Sequence, residues 1–370
     1  MRRVKYLFVA LVVVAALLFT GCGKDDAVVV FISGKYLYVN TDSTNNFVSA
    51  FIINRDGTLT ELPGSPYATG GLSAGGFYSA NRIALARGKG LLFASNVTDS
   101  TITVFRINRL NGTLTQIGLP IASGGDMGSG GSLAVDNRGR FLFAGNDNTA
   151  NISVFAIGAD GSLTPVSGSP FAFGASINGI TLNVANDLLY VADGGTNAFI
   201  VLAIAADGSL APIAGSPFAY TAGFTLTSFA FSSATLGIAG ATGGAYSSYA
   251  VDAAGVPTLL ATLVIGANNQ AISTARNGSL AILSGGNSNQ IGVVTVADDG
   301  TLTQVAGSPF VTAAPVRGYA AANPRGTFLF ATESDRIEAF AVDPDGVLTS
   351  LGTFLLNNTG DPKARSLVIY

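Results

Sequence analysis

The chain of 370 residues contains no histidine, no tryptophan and a single cysteine, Cys22. The absence of histidine excludes Ser-His-Asp and Cys-His catalysis and any zinc or haem site held by imidazole. A single cysteine excludes an internal disulfide and a thiolate cluster. Charged residues are also scarce at 11%, against about 25% in an ordinary soluble domain. Any catalysis must therefore use carboxylate, lysine, arginine or tyrosine side chains, or a bound hard metal ion.

Glycine and apolar residues are abundant instead. The chain has 47 glycines and a hydrophobic fraction of 48%, which is too apolar for intrinsic disorder. Glycine and proline follow no three-residue period, so a collagen-like chain is also excluded. The composition indicates a folded protein with many turns.

The N-terminal residues have the pattern of an export signal. Three basic residues precede an apolar run over residues 6–19, which is too short to span a bilayer comfortably. The run ends in Leu-Phe-Thr-Gly-Cys, which resembles a bacterial lipobox. We predict a signal peptide over residues 1–21, a tether over 22–27 and lipidation of Cys22; the alternative is an ordinary secretory signal with Cys22 a bystander. The protein is then expected in the bacterial cell envelope, lipid-anchored at the outer membrane or cell surface.

Removal of this signal makes the chain more acidic. The formal net charge falls from −3 to −6, because three basic residues are lost. Nucleic acid is therefore not an expected partner. A broad basic patch for anionic lipid is not expected either, so acyl chains would supply the membrane attachment. We expect the protein to be a monomer.

One sequence unit recurs seven times over residues 28–370. Its marker is a turn glycine at intervals of 45 to 55 residues, which in most copies follows Asp or Asn, as in a hairpin. Each unit contains four short β-rich runs, in the third copy residues 132–135, 141–144, 152–157 and 162–166. This repeat predicts an all-β fold, a seven-bladed β-propeller of four-stranded antiparallel blades. The marker glycines are Gly57, Gly112, Gly161, Gly208, Gly255, Gly300 and Gly346.

Four of the units end in Gly-Ser-Pro followed by an aromatic residue. Proline cannot donate to a strand ladder, so we predict that it ends strand D, the outermost strand, at the open edge of the blade. The aromatic residue is expected to cover apolar surface between blades. The four motifs lie at residues 64–67, 168–171, 215–218 and 307–310.

Several of these segments resemble the lactonase-type seven-bladed propellers, which are related to 6-phosphogluconolactonase and to YVTN-type surface repeats. The resemblance rests on Leu-Tyr-Val at 37–39 and 189–191, Asn-Ile-Ser-Val-Phe at 151–155, the Asp-Gly-x-Leu-Thr turns and the Gly-Ser-Pro-Phe endings. It covers roughly residues 28–370 and is specific for the fold but not for the activity. A fungal relative, the carboxymuconate lactonising enzyme, depends on a histidine, so that activity is excluded here.

The resemblance also implies how the ring closes. In that family a C-terminal strand completes blade one, which here would be residues 365–369 pairing with the strand from Leu37 onward. The alternative is that residues 28–32 fill this place. Blade five, around residues 237–262, is rich in glycine and is expected to be the weakest blade.

Three arginines share a place in the repeat. In a propeller blade the B–C turns and the D-to-A crossings lie on the face where the central channel opens. Arg82, Arg317 and Arg365 fall just before strand A, the innermost strand, on blades two, seven and one, which are consecutive around the closed ring. Three guanidinium groups there predict a site for a carboxylate or phosphate. The alternative is that each arginine pairs with an acid, such as Asp361 or Glu333, and ties blades together.

Other polar residues are expected at the same channel mouth. Asn178 and Gln270 occupy the matching position on blades four and six. Glu333, in the B–C turn of blade seven, is one of only three glutamates and is the candidate base for activating water on a lactone. No metal or other cofactor is predicted, although the oxygen-rich B–C turns could also bind Ca²⁺. These turns contain Asp99, Asn146, Asp147, Asn148 and Asp193.

Two functions remain open, and the sequence leaves undecided whether the protein is an enzyme. The favoured one is a lipid-anchored propeller that binds a small anion, a glycan or a protein at its channel-mouth face. The alternative is a lactone hydrolase like the 6-phosphogluconolactonase-like members. Binding is favoured because likeness of fold is a weak indication of activity, and because a cytosolic sugar phosphate would not be found outside the membrane.

Overall fold

Each repeat forms a small antiparallel sheet, because its runs of β-branched and aromatic residues are separated by glycine turns. A computed structural model describes residues 34–73, 81–128, 130–174, 176–266, 270–357 and 364–370, and only the backbone of residues 364 and 365. The predicted signal and tether, Cys22 and residues 28–32 lie outside the described residues. Within these ranges the helices are three single 3-10 turns, and none is long or apolar enough to cross a membrane. They are Arg87–Lys89, Thr242–Gly244 and Arg276–Gly278.

The first three blades follow one another along the chain. In blade one, strands B, C and D are β1 (Tyr36–Thr41), β2 (Phe47–Ile53) and β3 (Leu59–Glu61), followed by the short β4 (Tyr67–Ala68). Blade two is β5 (Ile83–Ala86), β6 (Leu91–Asn96), β7 (Thr101–Ile107) and β8 (Leu114–Ala122). Blade three is β9 (Leu133–Val135), β10 (Phe141–Asn146), β11 (Asn151–Ile157) and β12 (Leu163–Pro165), with the short β13 (Phe171–Ala172).

The remaining blades repeat this order. Blade four is β14 (Ile177–Leu182), β15 (Leu188–Asp193), β16 (Ala198–Ile204) and β17 (Leu210–Pro212), with β18 (Phe218–Ala219). Blade five is β19 (Leu226–Phe231), β20 (Leu236–Ala241), β21 (Ala245–Val251) and β22 (Pro257–Val264). Blade six is β23 (Ala271–Ala275), β24 (Leu280–Ser284), β25 (Ser288–Val296) and β26 (Leu302–Gln304), with β27 (Phe310–Val316). Blade seven is β28 (Ala320–Ala322), β29 (Phe328–Thr332), β30 (Arg336–Val342) and β31 (Leu348–Leu355).

The last strand of the chain completes blade one. Strand β32 (Ala364–Ile369) pairs antiparallel with β1, and Leu37 lies opposite Ile369 in the register. The predicted all-β, seven-bladed propeller closed by a C-terminal strand is therefore confirmed. Blade five has all four of its strands; the expectation that it is the least stable blade stays a prediction.

The Gly-Ser-Pro endings are partly as predicted. Strand D stops before each proline, but the chain then pairs with strand C again, as Tyr67 does with Val48. The aromatic residue of each motif packs against an apolar cluster between neighbouring blades, as expected. The motif thus divides the outer strand into two short pieces instead of ending it.

Hydrogen bonds between turns identify the two faces of the ring. Arg109, in the C–D turn of blade two, donates to the backbone oxygen of Gly88 in the A–B turn of the same blade. We call this side the turn face. Leu72, in the crossing from blade one to blade two, donates its backbone N–H to Asp99 in a B–C turn at 3.1 Å. This second side, with the B–C turns and the crossings, is the crossing face.

Candidate functional site

The carboxylates of the B–C turns hold the crossing segments in place. Asp147 accepts the backbone N–H of Ile177 at 2.9 Å, and Asp193 accepts that of Ser176 at 3.1 Å. Among the described residues no three acidic or cysteine side chains come together as metal ligands. The other predicted turn residues also make local hydrogen bonds, namely Asp99, Asn146 and Asn148.

Arg82 lies at the centre of a buried network. Its Nη1 atom is 3.0 Å from Oδ1 of Asp42, its Nε donates to the backbone oxygen of Gly130 at 3.1 Å, and its backbone N–H donates to Ser366 at 3.0 Å. Asp42 also accepts the hydroxyl of Ser73 at 2.7 Å. Burial lowers the pKa of Arg82, and the charge of Asp42 opposes this shift. The geometry favours a tie between blades one, two and three, with Asp42 as the partner acid.

Arg317 is not equivalent to Arg82 in the register. The backbone oxygen of Tyr319 accepts the N–H of Thr332 in blade seven, as the oxygen of Arg82 accepts a strand B N–H in blade two. Tyr319, and not Arg317, therefore has the register position of Arg82. Arg317 lies two residues further from strand A, in the crossing that leads into blade seven. Its half-buried side chain donates from Nε to the hydroxyl of Ser334 at 3.1 Å.

Of the other predicted site residues, the structure describes Asn178 and Gln270 in full. The side chain of Arg365 and the whole of Asp361 lie outside the described residues. The amide of Asn178 donates to the backbone oxygen of Leu226 at 2.9 Å, at a bulge in β14. The side-chain oxygen of Gln270 is buried and has no hydrogen-bond partner among the described residues. A joint anion site of the three arginines stays a prediction.

Glu333 lies beneath the crossing from blade six to blade seven. Its side chain is 0% exposed, and its Oε1 accepts the backbone N–H of Ala314 at 3.1 Å. Burial, followed by a hydrogen bond to the carboxyl of Glu338, raises the pKa of Glu333 to about 8. This pKa suits proton transfer near neutral pH, but water reaches the carboxyl only if the crossing moves.

A polar cavity of about 350 Å³ lies along the channel between the innermost strands. Its lining extends from Asn81, just before β5, to Arg87, just after it, and includes Asn137, Thr181 and Asn186 on blades three and four. Oδ1 of Asn81 is buried without a hydrogen-bond partner among the described residues. This site was not predicted from the sequence. Its signal is the recurrence of asparagine in the A–B turns, which resembles ordinary turn composition.

A second cavity of about 380 Å³ opens at the turn face beside blades five to seven. Arg276 lines it, but its guanidinium already donates to the backbone oxygens of Gly326, Pro344 and Val342 at 2.7 to 3.0 Å. In the first cavity the guanidinium of Arg87 donates to one backbone oxygen, that of Ile369, so more of its N–H groups remain for a ligand, and we regard the first cavity as the better ligand site.

Comparison with protein families identifies the same type of propeller. Residues 27–172 match the family model described as "Lactonase, 7-bladed beta-propeller". The resemblance to the lactonase-type propellers is confirmed. A search of curated proteins finds no match. The matched part of this lactonase-like chain includes Asp42, Arg82 and the blade two and three walls of the channel cavity.

Solved structures with the same architecture come from several bacteria. A candidate 6-phosphogluconolactonase from Bacteroides fragilis has a TM-score of 0.73 and 18% identity, over 90% of this chain and 97% of that chain. One from Bacteroides uniformis has a TM-score of 0.72 and 16% identity, over 90% and 99%. The periplasmic gluconolactonase PpgL of Pseudomonas aeruginosa has a TM-score of 0.71 and 20% identity, over 90% and 98%. At these identities the likeness establishes the fold alone.

Proposed function

We propose that this protein hydrolyses a sugar lactone outside the cytoplasm, with the substrate bound in the channel cavity. The observation that carries the proposal is an overlap: the residues that match the lactonase model also supply Asn81, Arg87 and Asn137 of the cavity lining. The cavity volume of about 350 Å³ lies within the usual range for small-molecule sites. The periplasmic gluconolactonase among the structural relatives supports this substrate class.

The cavity offers groups for the parts of such a reaction. Water adds to the lactone carbonyl carbon, the ring oxygen leaves and takes a proton, and a hydroxycarboxylate results. The side-chain oxygen of Asn81 has no hydrogen-bond partner among the described residues, and we assign it as the acceptor for a sugar hydroxyl. The guanidinium of Arg87 donates to the backbone oxygen of Ile369 and has further N–H groups for the carboxylate of the product. Glu333, the base predicted from the sequence, does not line the cavity. It lies at the crossing face, so it acts as the base only if the lactone carbonyl reaches that end of the channel and water enters beneath residues 313–314.

The test is a lactone panel measured on the full chain in detergent, with gluconolactone and its 6-phosphate as the first two compounds. We expect hydrolysis of the unphosphorylated lactone, a raised KM in Arg87→Gln and a lowered kcat in Glu333→Gln. Arg106→Gln, which removes an exposed guanidinium that donates to the backbone oxygen of Asp160, is the control and should behave as the parent. If no lactone is opened faster than in buffer, the proposal is wrong. An unchanged kcat in Glu333→Gln would exclude that residue as the base.

Binding without catalysis is the second candidate. The observation in its favour is that Glu333 and Arg82, at the crossing face, are both fully or almost fully buried and already bonded. In that case a carboxylate or phosphate ligand would stabilise the parent, and Arg317→Gln would weaken binding by about 1.5–3 kcal/mol, as expected for a charged hydrogen bond. A sharp loss of melting temperature in Arg317→Gln without any anion effect would show that Arg317 is a structural tie.

We propose that acyl chains on Cys22 anchor the protein to a bacterial membrane. The proposal rests on the short apolar run that ends in Thr-Gly-Cys. Cys22→Ser should release the protein from the membrane fraction or leave the signal uncut. A variant that fractionates and migrates as the parent does would contradict lipidation.

A further inference from the structure

Two of the three glutamates in the chain form a buried pair in blade seven. Glu333 is 0% exposed and Glu338 is 3% exposed, and their carboxyl groups lie side by side, because they accept the N–H groups of two consecutive residues, Ala314 and Ala313. Oε2 of Glu333 is buried and has no hydrogen-bond partner among the described residues. The remaining oxygens accept the backbone N–H groups of Ala314 and Ala313, at 3.1 and 2.8 Å, and the hydroxyl of Ser350 at 2.6 Å.

Blades two and three have a different pair of residues at this position. In both blades an asparagine at the end of strand B donates its side-chain amide to a hydroxyl on strand C: Asn96 to Thr103 at 2.9 Å, and Asn146 to Ser153 at 3.0 Å. The strand C residues Thr103, Ser153 and Glu338 each lie opposite an alanine of strand B, namely Ala94, Ala144 and Ala331. The strand B residues Asn96, Asn146 and Glu333 each follow that alanine by two residues.

The glutamate pair therefore replaces a donor–acceptor pair with two acids. Two ionised carboxylates have only acceptors, so a hydrogen bond between them requires a proton on one of them. Two adjacent buried charges of the same sign are also strongly unfavourable. Blade seven can reproduce the contact of blades two and three only when one carboxyl is protonated.

We propose that Glu333 and Glu338 share one proton, and that this proton clamps the 313–317 crossing onto blade seven, so that its loss to solvent releases the crossing and displaces Arg317 at the channel mouth. The crossing is also held at Val316, which pairs with Ser288 of β25 and packs in the apolar cluster between blades six and seven. Ala313 and Ala314 bond to the two carboxyls, and Arg317 bonds through its backbone to Thr332 and through its side chain to Ser334. This device does not depend on lactone hydrolysis.

Few other charges act on the pair. Strands β27 and β31, which pack against it, contain no titratable residue. Arg336, on β30, lowers the pKa of Glu333 slightly and is paired with Asp335. The pKa of Glu333, about 8, lies above its ordinary value of 4.5. The folded protein thus holds a proton that the unfolded chain releases, and stability falls as pH rises between these two values.

Two cysteine reporters on the crossing strand test the proposal in the full chain. Val316 is 0% exposed and Val311 is 75% exposed, both on β27. Labelling of Val316→Cys by a maleimide, followed by peptide mass spectrometry, measures release of the crossing. Labelling of Val311→Cys gives the intrinsic effect of pH on the thiol. We expect the ratio of the two rates to rise with pH between about 4.5 and about 8, by up to tenfold per pH unit, and to level off above about 8.

The matched variants replace the proton by a permanent donor. In Glu333→Gln the amide takes the role of the Asn96 amide and can keep the bond from Ala314, so the labelling ratio should become independent of pH. Glu338→Gln is a second variant with the same expectation, in case the first folds poorly. A ratio that does not change with pH in the parent, or that changes equally in both variants, would overturn the proposal. Suppression of labelling by millimolar Ca²⁺ would show a cation site instead of a shared proton.

Discussion

At the scale of single residues, the buried charge of Arg82 is compensated by an ion pair. Arg82 is buried and is held by Asp42, and the cost of taking both ions out of water is offset only while both are present. The pair Arg336–Asp335 is similar in geometry, at 2.7 Å, but its side chains are 32% and 44% exposed. The two ion pairs should therefore differ strongly in their effect on stability.

We expect Arg82→Gln to lower the free energy of unfolding by about 3–5 kcal/mol, because it leaves Asp42 buried without its counter-charge. The matched substitution Arg336→Gln should change it by at most about 1 kcal/mol. Urea unfolding of the full chain, followed by circular dichroism, measures both. Equal midpoints for Arg82→Gln and the parent would show that Arg82 is not the tie between blades that its contacts indicate.

The sequence predicted where Arg82 lies and left open whether it binds an anion or pairs with an acid, but it did not identify Asp42 as the partner. Its place before strand A follows from the repeat, whereas its partner Asp42 is 40 residues away, in another blade, and depends on side-chain geometry. Arg317 was misplaced by two residues, because the length of a crossing does not follow from the strand repeat. The pair of Glu333 and Glu338 was also hidden, because only the register of strands B and C brings the two carboxyls together.

At the scale of elements, the Gly-Ser-Pro motif interrupts strand D but supplies a hydrogen-bond acceptor for strand C at the break. In each of the four blades the serine hydroxyl accepts a backbone N–H of strand C, fifteen residues earlier, at 2.8 to 3.0 Å. The break in strand D would otherwise leave this N–H group without an acceptor. The proline is predictable as a strand breaker from sequence; the acceptor role of the serine is not, because it depends on the register of the neighbouring strand.

Ser308→Ala tests this role in blade six. Ser308 is buried, and its hydroxyl accepts the N–H of Val293 at 2.8 Å. We expect a loss of about 1–3 kcal/mol in unfolding free energy, because a buried donor is left without a partner. The control is Ser209→Ala, which removes an exposed hydroxyl that bonds Asp207, and it should shift stability by less than about 0.5 kcal/mol. Similar losses in the two variants would mean that the hydroxyl of Ser308 is not a required acceptor.

At the scale of the whole molecule, blade one joins the two ends of the propeller. Leu367 and Ile369 of β32 pack in the apolar cluster between blades one and seven, while Val368 packs toward blade two. The seven-fold repeat predicts a closed ring, and the family resemblance implies the C-terminal strand as its closing element. The channel cavity was not predictable in this way, because its shape depends on side chains from four separate blades.

We expect loss of β32 to open the ring. A chain that ends at Ala364 leaves the inner edge of β1 unpaired and exposes the apolar clusters on both sides of it, so the protein should aggregate or melt far below the parent temperature. Leu367→Asp should have a similar effect without any truncation, since Leu367 is buried. Leu119→Asp, at an exposed position of the outer strand β8, is the matched control and should remain folded. A truncated chain that melts as the parent does would mean that another segment, such as residues 28–32, can take the place of β32. That outcome would also imply that closure depends on the available inner edge of β1 and not on the identity of the strand that fills it.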